Sequence, residues 1–179
     1  IGKGLYGDWS LGNVRLTGVL IRLGLCFGAA ALLVCTVNHR WLGWISAGTL
    51  VAYSLVIMLG NGYSESPSES ILAKVDMALL GGSHLYRGGE IVDPEGLLST
   101  IPAAAHTLIG FLVGKMLYAK DFRKMDAMGT MLLVGGFLLM YALPVNKKIW
   151  SPTFVMVSCG AGTLLLGLLQ WLIDEKKVW

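Results

Sequence analysis

Long apolar runs separated by short polar stretches set the pattern of this chain. A helix rising about 1.5 Å per residue needs roughly 20 apolar residues to cross a hydrocarbon core about 30 Å thick. Five segments meet that requirement, at 16–37, 41–60, 99–119, 127–143 and 153–173. The fourth is short, and the first carries one internal charge, Arg22. The longest polar interval, 61–98, divides into parts. Residues 64–70 have the composition of a solvated connector. Ile71, Leu72, Val75 and Leu79 then recur at helical spacing beside Lys74 and Asp76, and Gly81 and Gly82 can end that turn of chain. The pattern predicts an all-α fold: a polytopic membrane helix bundle of about five transmembrane helices, with a short interfacial helix in the 61–98 loop. All of 1–179 reads as one membrane domain.

Composition agrees with the pattern. The chain is 55% hydrophobic and 14% charged, and its mean hydropathy is +0.66, too apolar for a soluble globular domain. The first 15 residues are polar and no small-residue cleavage site follows a short apolar core, so no cleaved signal peptide is expected. Cys26, Cys35 and Cys159 fall inside predicted spans at no metal-ligand spacing, which predicts small packed residues, no metal and no structural disulfide. A net charge of +3 without a basic, aromatic-interleaved stripe excludes nucleic acid as an expected partner. The lipid bilayer is the partner that composition implies.

Alternating the five spans sorts the loops onto two faces. Arg40, Lys115, Lys120, Arg123, Lys124, Lys176 and Lys177 share one face, close to helix ends. Lys3, Arg15, Lys74, Arg87, Lys147 and Lys148 share the other, together with most of the acids. The clustered basics mark the first face as cytoplasmic, so 61–98 and 144–152 are expected to be extracytoplasmic. The N-terminus then lies outside, which suggests a segment preceding residue 1. Gly24/Gly28 and Gly110/Gly114 are Gly-x-x-x-Gly pairs, expected to pack helices within the chain, with a homodimer as the lesser alternative. Most of the six tryptophans sit near span ends, as interfacial anchors do.

The candidate chemistry lies at polar boundaries. Pro94 disfavours helix at Asp93, and Glu95 in the first turn of the next helix would suit its dipole, so both acids read as capping groups. The functional reading is that one of them orients a histidine or binds an amine. Arg22, inside a span at a cost on the order of 3 kcal/mol, needs headgroups, a carboxylate or an anionic ligand as its partner. His106 is expected to be neutral and hydrogen-bonded to a neighbouring helix, and His39 to be a simple loop residue.

Four stretches carry a specific resemblance: Val19-Leu-Ile-Arg-Leu23, Val75-Asp-Met-Ala-Leu-Leu-Gly-Gly-Ser-His-Leu85, Asp93-Pro-Glu-Gly-Leu-Leu-Ser-Thr-Ile-Pro102 and Pro144-Val-Asn-Lys-Lys-Ile-Trp-Ser151. In this order and sidedness, over about 17–160, they resemble the heparan-α-glucosaminide N-acetyltransferase family and its bacterial relatives. The resemblance implies an integral protein of a bacterial inner membrane that moves an acetyl group from cytosolic acetyl-CoA, as co-substrate, to an amino sugar or glycan such as glucosamine on the far side. The family's catalytic histidine motif, His-x-x-Trp-x-Gly-Leu-Thr, is absent, so the chain matches the middle to later part of such an enzyme. His84 matches a different family position. Under that reading Asp93, Glu95 and Asn146 are the candidate catalytic residues, orienting a base or stabilising an oxyanion. His84, Lys147 and Arg22 are the candidate substrate-binding residues. The alternatives are a non-catalytic membrane module, either half of a transporter or an assembly subunit, and a polysaccharide O-acetyltransferase.

Overall fold

A computed structural model describes residues 18–64, 66, 68–81 and 93–175. Six helices follow one another: α1 (Val19–Thr36), α2 (His39–Leu59), α3 (Ile71–Leu80), α4 (Leu97–Tyr118), α5 (Phe122–Leu139) and α6 (Pro152–Gln170), the last continued by a π-helical turn, Trp171–Glu175. Five of them match the five predicted segments, and α3 matches the predicted short helix. The described residues therefore form an all-helical membrane bundle.

Among the described residues, four helices are long and apolar enough to cross a membrane: Val19–Thr36, His39–Leu59, Leu97–Tyr118 and Pro152–Ile173. The fourth predicted segment is not among them. Its helix, α5, starts five residues earlier than the apolar run and ends at Leu139, so its first turns take in Arg123, Lys124 and Asp126. It nevertheless runs the length of the bundle beside α6. Two tyrosines place the loops at its ends: the Tyr53 hydroxyl donates to the Ile149 carbonyl at 2.6 Å and that of Tyr63 to the Pro144 carbonyl at 3.0 Å. The 60–81 and 140–151 stretches thus share one end of the bundle, hereafter the loop end, and Arg40, Lys115, Lys120, Arg123 and Lys124 lie toward the opposite, basic end.

Glycines decide how closely the helices approach, but not at the predicted pairs. A Cβ on Gly24, Gly28, Gly110 or Gly114 would meet nothing within 4 Å, so neither Gly-x-x-x-Gly pair packs helices within the chain. Gly110 and Gly114 instead border a cavity of about 320 Å³ between α4 and α6. The close contact is α5 on α6, where a Cβ on Gly136 would lie 2.8 Å from Val157 and one on Gly160 2.8 Å from Leu133. Gly129 and Gly136 are seven residues apart, as are Gly160 and Gly167, a heptad repeat that keeps one seam of each helix facing the other.

The buried face of α3 also departs from expectation. Leu72, Ala73 and Asp76 point inward, whereas Leu79 is 68% exposed. Leu72 and Ala73 join Tyr53, Ile57, Leu143 and Ile149 in an apolar cluster that ties α3 and the 140–151 turn to α2. Among the cysteines, Cys26 and Cys159 are buried as predicted; Cys35 is exposed on the α1 surface, and all three are free.

Candidate functional site

The sequence concentrates its polar residues at the loop end, and α4 organises them. Its N-terminus leaves backbone N–H groups without helical partners. Asp76 of α3 meets this need from 21 residues away, its Oδ1 accepting from Leu97 N at 2.9 Å. Gly96 makes the approach feasible, because a Cβ there would overlap the Asp76 carboxylate. Asp76 is 1% exposed, and burial pushes its pKa up to about 6 despite the backbone hydrogen bonds, with the nearby Asp93 carboxylate pushing the same way. Its Oδ2 has no hydrogen-bond partner among the described residues.

Asp93 and Glu95 precede the helix. Asp93 Oδ1 accepts from Glu95 N at 2.9 Å and Gly96 N donates to the Asp93 carbonyl at 3.0 Å, a tight turn that Pro94 favours. Helix α4 starts at Leu97, so Glu95 lies just outside the first turn in which it was expected. The carboxylate at that helix terminus is Asp76, which the sequence pattern had marked only as a polar neighbour of Lys74.

Arg22 is 7% exposed and finds its partners on the same α4 terminus. Its Nη1 donates to the Pro94 carbonyl at 2.5 Å and its Nη2 to the Ser99 carbonyl at 2.6 Å. The guanidinium sits over the Trp150 ring, 4.1 Å from its centroid, in the geometry of a cation–π contact. Asp93 and Glu95 are near enough to act on its charge. Backbone carbonyls and an aromatic face thus satisfy most of a cation that would otherwise be costly at this depth.

Trp150 is the site residue that sequence reasoning missed. It lies among the span-end tryptophans, but its φ of +52°, rare for a bulky residue, turns the ring inward beneath Arg22. Trp41 and Trp44, 56% and 73% exposed, fit the expected anchor role. The Trp150 ring packs at 5.1 Å on Phe154 and 6.0 Å on His106. His106 accordingly has aromatic neighbours where a helix–helix hydrogen bond was expected, and its Nδ1 is buried without a partner. Among the described residues, Trp150 Nε1 and Arg22 Nε are likewise buried and find no hydrogen-bond partner. His39 is more than a loop residue: it opens α2, and its Nδ1 lies 3.0 Å from Lys115 Nζ at the basic end.

The remaining sequence candidates stand at the rim. Asn146 Oδ1 accepts from Lys148 N at 2.9 Å, and Asn146 N donates to Ser151 Oγ at 3.0 Å; Ser151 Oγ also caps α6 by accepting from Phe154 N. Lys147 is exposed on the same turn. His84 lies outside the described residues. Among the described residues no group of His, Cys, Asp and Glu could hold a metal ion.

These features define a class: a polytopic helical membrane protein whose polar motifs meet at one end of the bundle. Within that class, the chain is similar to two heparan-alpha-glucosaminide N-acetyltransferases. It is 26% identical to that of Mus musculus across 97% of this chain and 35% of the mouse protein. To that of Homo sapiens it is 28% identical across 59% of this chain and 19% of the human protein. The chain therefore spans about a third of the mouse relative, and the resemblance carried by the four motifs is borne out. No protein-family model matches the chain.

Proposed function

We propose that this chain forms the acceptor-side part of a transmembrane acetyltransferase that moves an acetyl group from cytosolic acetyl-CoA to the amine of an amino sugar. One observation carries the reading beside the similarity to two N-acetyltransferases. Residues of the four separated motifs meet in one cluster: Arg22 of the first touches Pro94 and Ser99 of the third and Trp150 of the fourth, and Asp76 of the second caps the helix of the third. Loss of the ammonium proton to a base frees the amine nitrogen, which bonds to the acetyl carbon as the carbon–sulfur bond breaks; the second nitrogen-borne proton passes to the sulfur, and coenzyme A leaves as its thiol. Asp93 and Glu95 hold the sugar ammonium near the cluster. Asn146 donates from its amide nitrogen to the oxyanion or to a sugar hydroxyl, and Lys147 and His84 bind the acceptor. Arg22, through its Nε, and Trp150, through its Nε1, add buried donors with no acceptor among the described residues, the kind of group that oxyanion stabilisation uses.

The test is acetyl transfer from radiolabelled acetyl-CoA to glucosamine by membranes containing the complete encoded protein. Asp93→Asn keeps the oxygen that accepts from Glu95 N and removes the charge; Asn146→Asp keeps the oxygen that accepts from Lys148 N and removes the donor. Each is expected to lower turnover by about 10-fold or more at unchanged expression, as loss of an oriented catalytic group does. Full turnover in both variants would remove these residues from the site.

A further inference from the structure

A second feature lies away from the loop-end cluster. No Cα of α2 comes within 8 Å of one of α5, and the two helices stand either side of a slot of about 500 Å³ floored by α4 and α6. Ala47 and Val51 line one wall, Met128 and Met131 the other, and Leu112 and Met156 the floor. Ser46 and Ser54 also border it, but their hydroxyls are spent on the Leu42 and Leu50 carbonyls of their own helix, at 2.9 and 2.8 Å. The slot offers no polar group along its length until Arg40, which stands at the basic end beside Trp44.

The slot is long and apolar. Arg40 and Ser54 are about 21 Å apart along α2 at a rise of about 1.5 Å per residue, a length that an extended hydrocarbon chain can follow between walls of aliphatic and thioether side chains. Methionine suits such a lining because its flexible thioether adapts to a mobile chain. The charge at the mouth selects the headgroup. Lys115 reaches His39, the residue before Arg40, and Lys120 and Arg123 follow at the same end. Of the acids at this end among the described residues, Asp121 pairs with Lys124 at 2.6 Å and Asp126 lies against Gly167 of α6.

We propose that the slot between α2 and α5 binds one acyl chain of an anionic phospholipid, with the headgroup phosphate at Arg40. The site stands apart from the acetyl-transfer reading and does not depend on it. Basic residues where helices meet the headgroup layer attract such lipids by about 1 kcal/mol each, or about fivefold in occupancy.

The complete encoded protein in nanodiscs, doped with phosphatidylglycerol carrying a photoactivatable diazirine on its acyl chain, is irradiated and the labelled residues are mapped by mass spectrometry. The phosphatidylcholine analogue serves as the comparison. Expected are labels on slot residues such as Val51 and Met131, about fivefold stronger with phosphatidylglycerol. Arg40→Gln should bring that labelling down to the phosphatidylcholine level. Lys74→Gln, at the loop end away from the mouth, should leave it unchanged, and Val51→Trp should reduce labelling by both lipids. Equal labelling of the unaltered chain by the two lipids overturns the proposal. So does an unlabelled slot, including one in which Val51→Cys crosslinks to a second copy of the chain.

Discussion

Gly96 has no side chain because the Asp76 carboxylate occupies the place where a Cβ would stand. Gly96→Ala must push the carboxylate away and leave α4 N–H groups unmet, a loss of about 1–3 kcal/mol. Gly24→Ala, where a Cβ meets nothing, should cost no stability and gain up to about 1 kcal/mol from helix propensity. Thermal unfolding of the two variants in detergent separates the cases, and equal melting temperatures would contradict the cap. The same carboxylate sets a pH dependence. Its folded pKa of about 6 lies above the unfolded value of 3.8, so the folded state holds the proton more tightly. Its contribution to stability is full below about pH 4 and is lost as the pH rises through about 6. Asp76→Asn should flatten this part of a stability–pH curve between pH 4 and 8; an unchanged curve would mean that another group titrates there. Arg22 and Pro94 are readable as unusual residues in the sequence, yet their meeting with Trp150 is not, because it depends on a positive φ at Trp150 and on two backbone carbonyls that carry no sequence signature.

At the scale of elements, the hydrophobic pattern located the six described helices, the longest of them because about 20 apolar residues in succession have few other fates. Periodicity left two matters open. The ends of α5 moved because a helix continues through charged residues such as Arg123 and Lys124 where water or headgroups receive them. The glycine pairs misled because Gly-x-x-x-Gly marks a surface that permits close approach without naming the helix that uses it. In this bundle the seam is α5 with α6, through Gly129, Gly136, Gly160 and Gly167. Gly160→Val should therefore force these helices apart and destabilise the bundle by about 2–4 kcal/mol. Gly28→Val, on an open surface, should cost less than about 1 kcal/mol. Denaturant titration of the two variants in mixed micelles tests this, and similar losses would place the packing seam elsewhere.

At the scale of the whole molecule, α1, α3, α4 and the turn before α6 are joined at one point, the first turn of α4. Asp76 holds its N–H groups, and Arg22 holds the carbonyls of Pro94 and Ser99. Substitutions at the two residues should therefore couple. The stability losses of Asp76→Ala and Arg22→Met are expected to differ from additivity by about 0.5–3 kcal/mol, and strict additivity would show that the turn does not link them. The sequence by itself determined the class, the helix positions and the two polar boundaries, because the need to bury or exclude polar groups acts on each segment locally. It also carried the family resemblance, because the four motifs survive as strings of residues. Only the tertiary structure decided which carboxylate caps α4, what satisfies Arg22, where Trp150 points and which glycines touch. Each of those depends on atoms brought together across tens of residues, and a linear pattern records spacing along the chain but no distance in space.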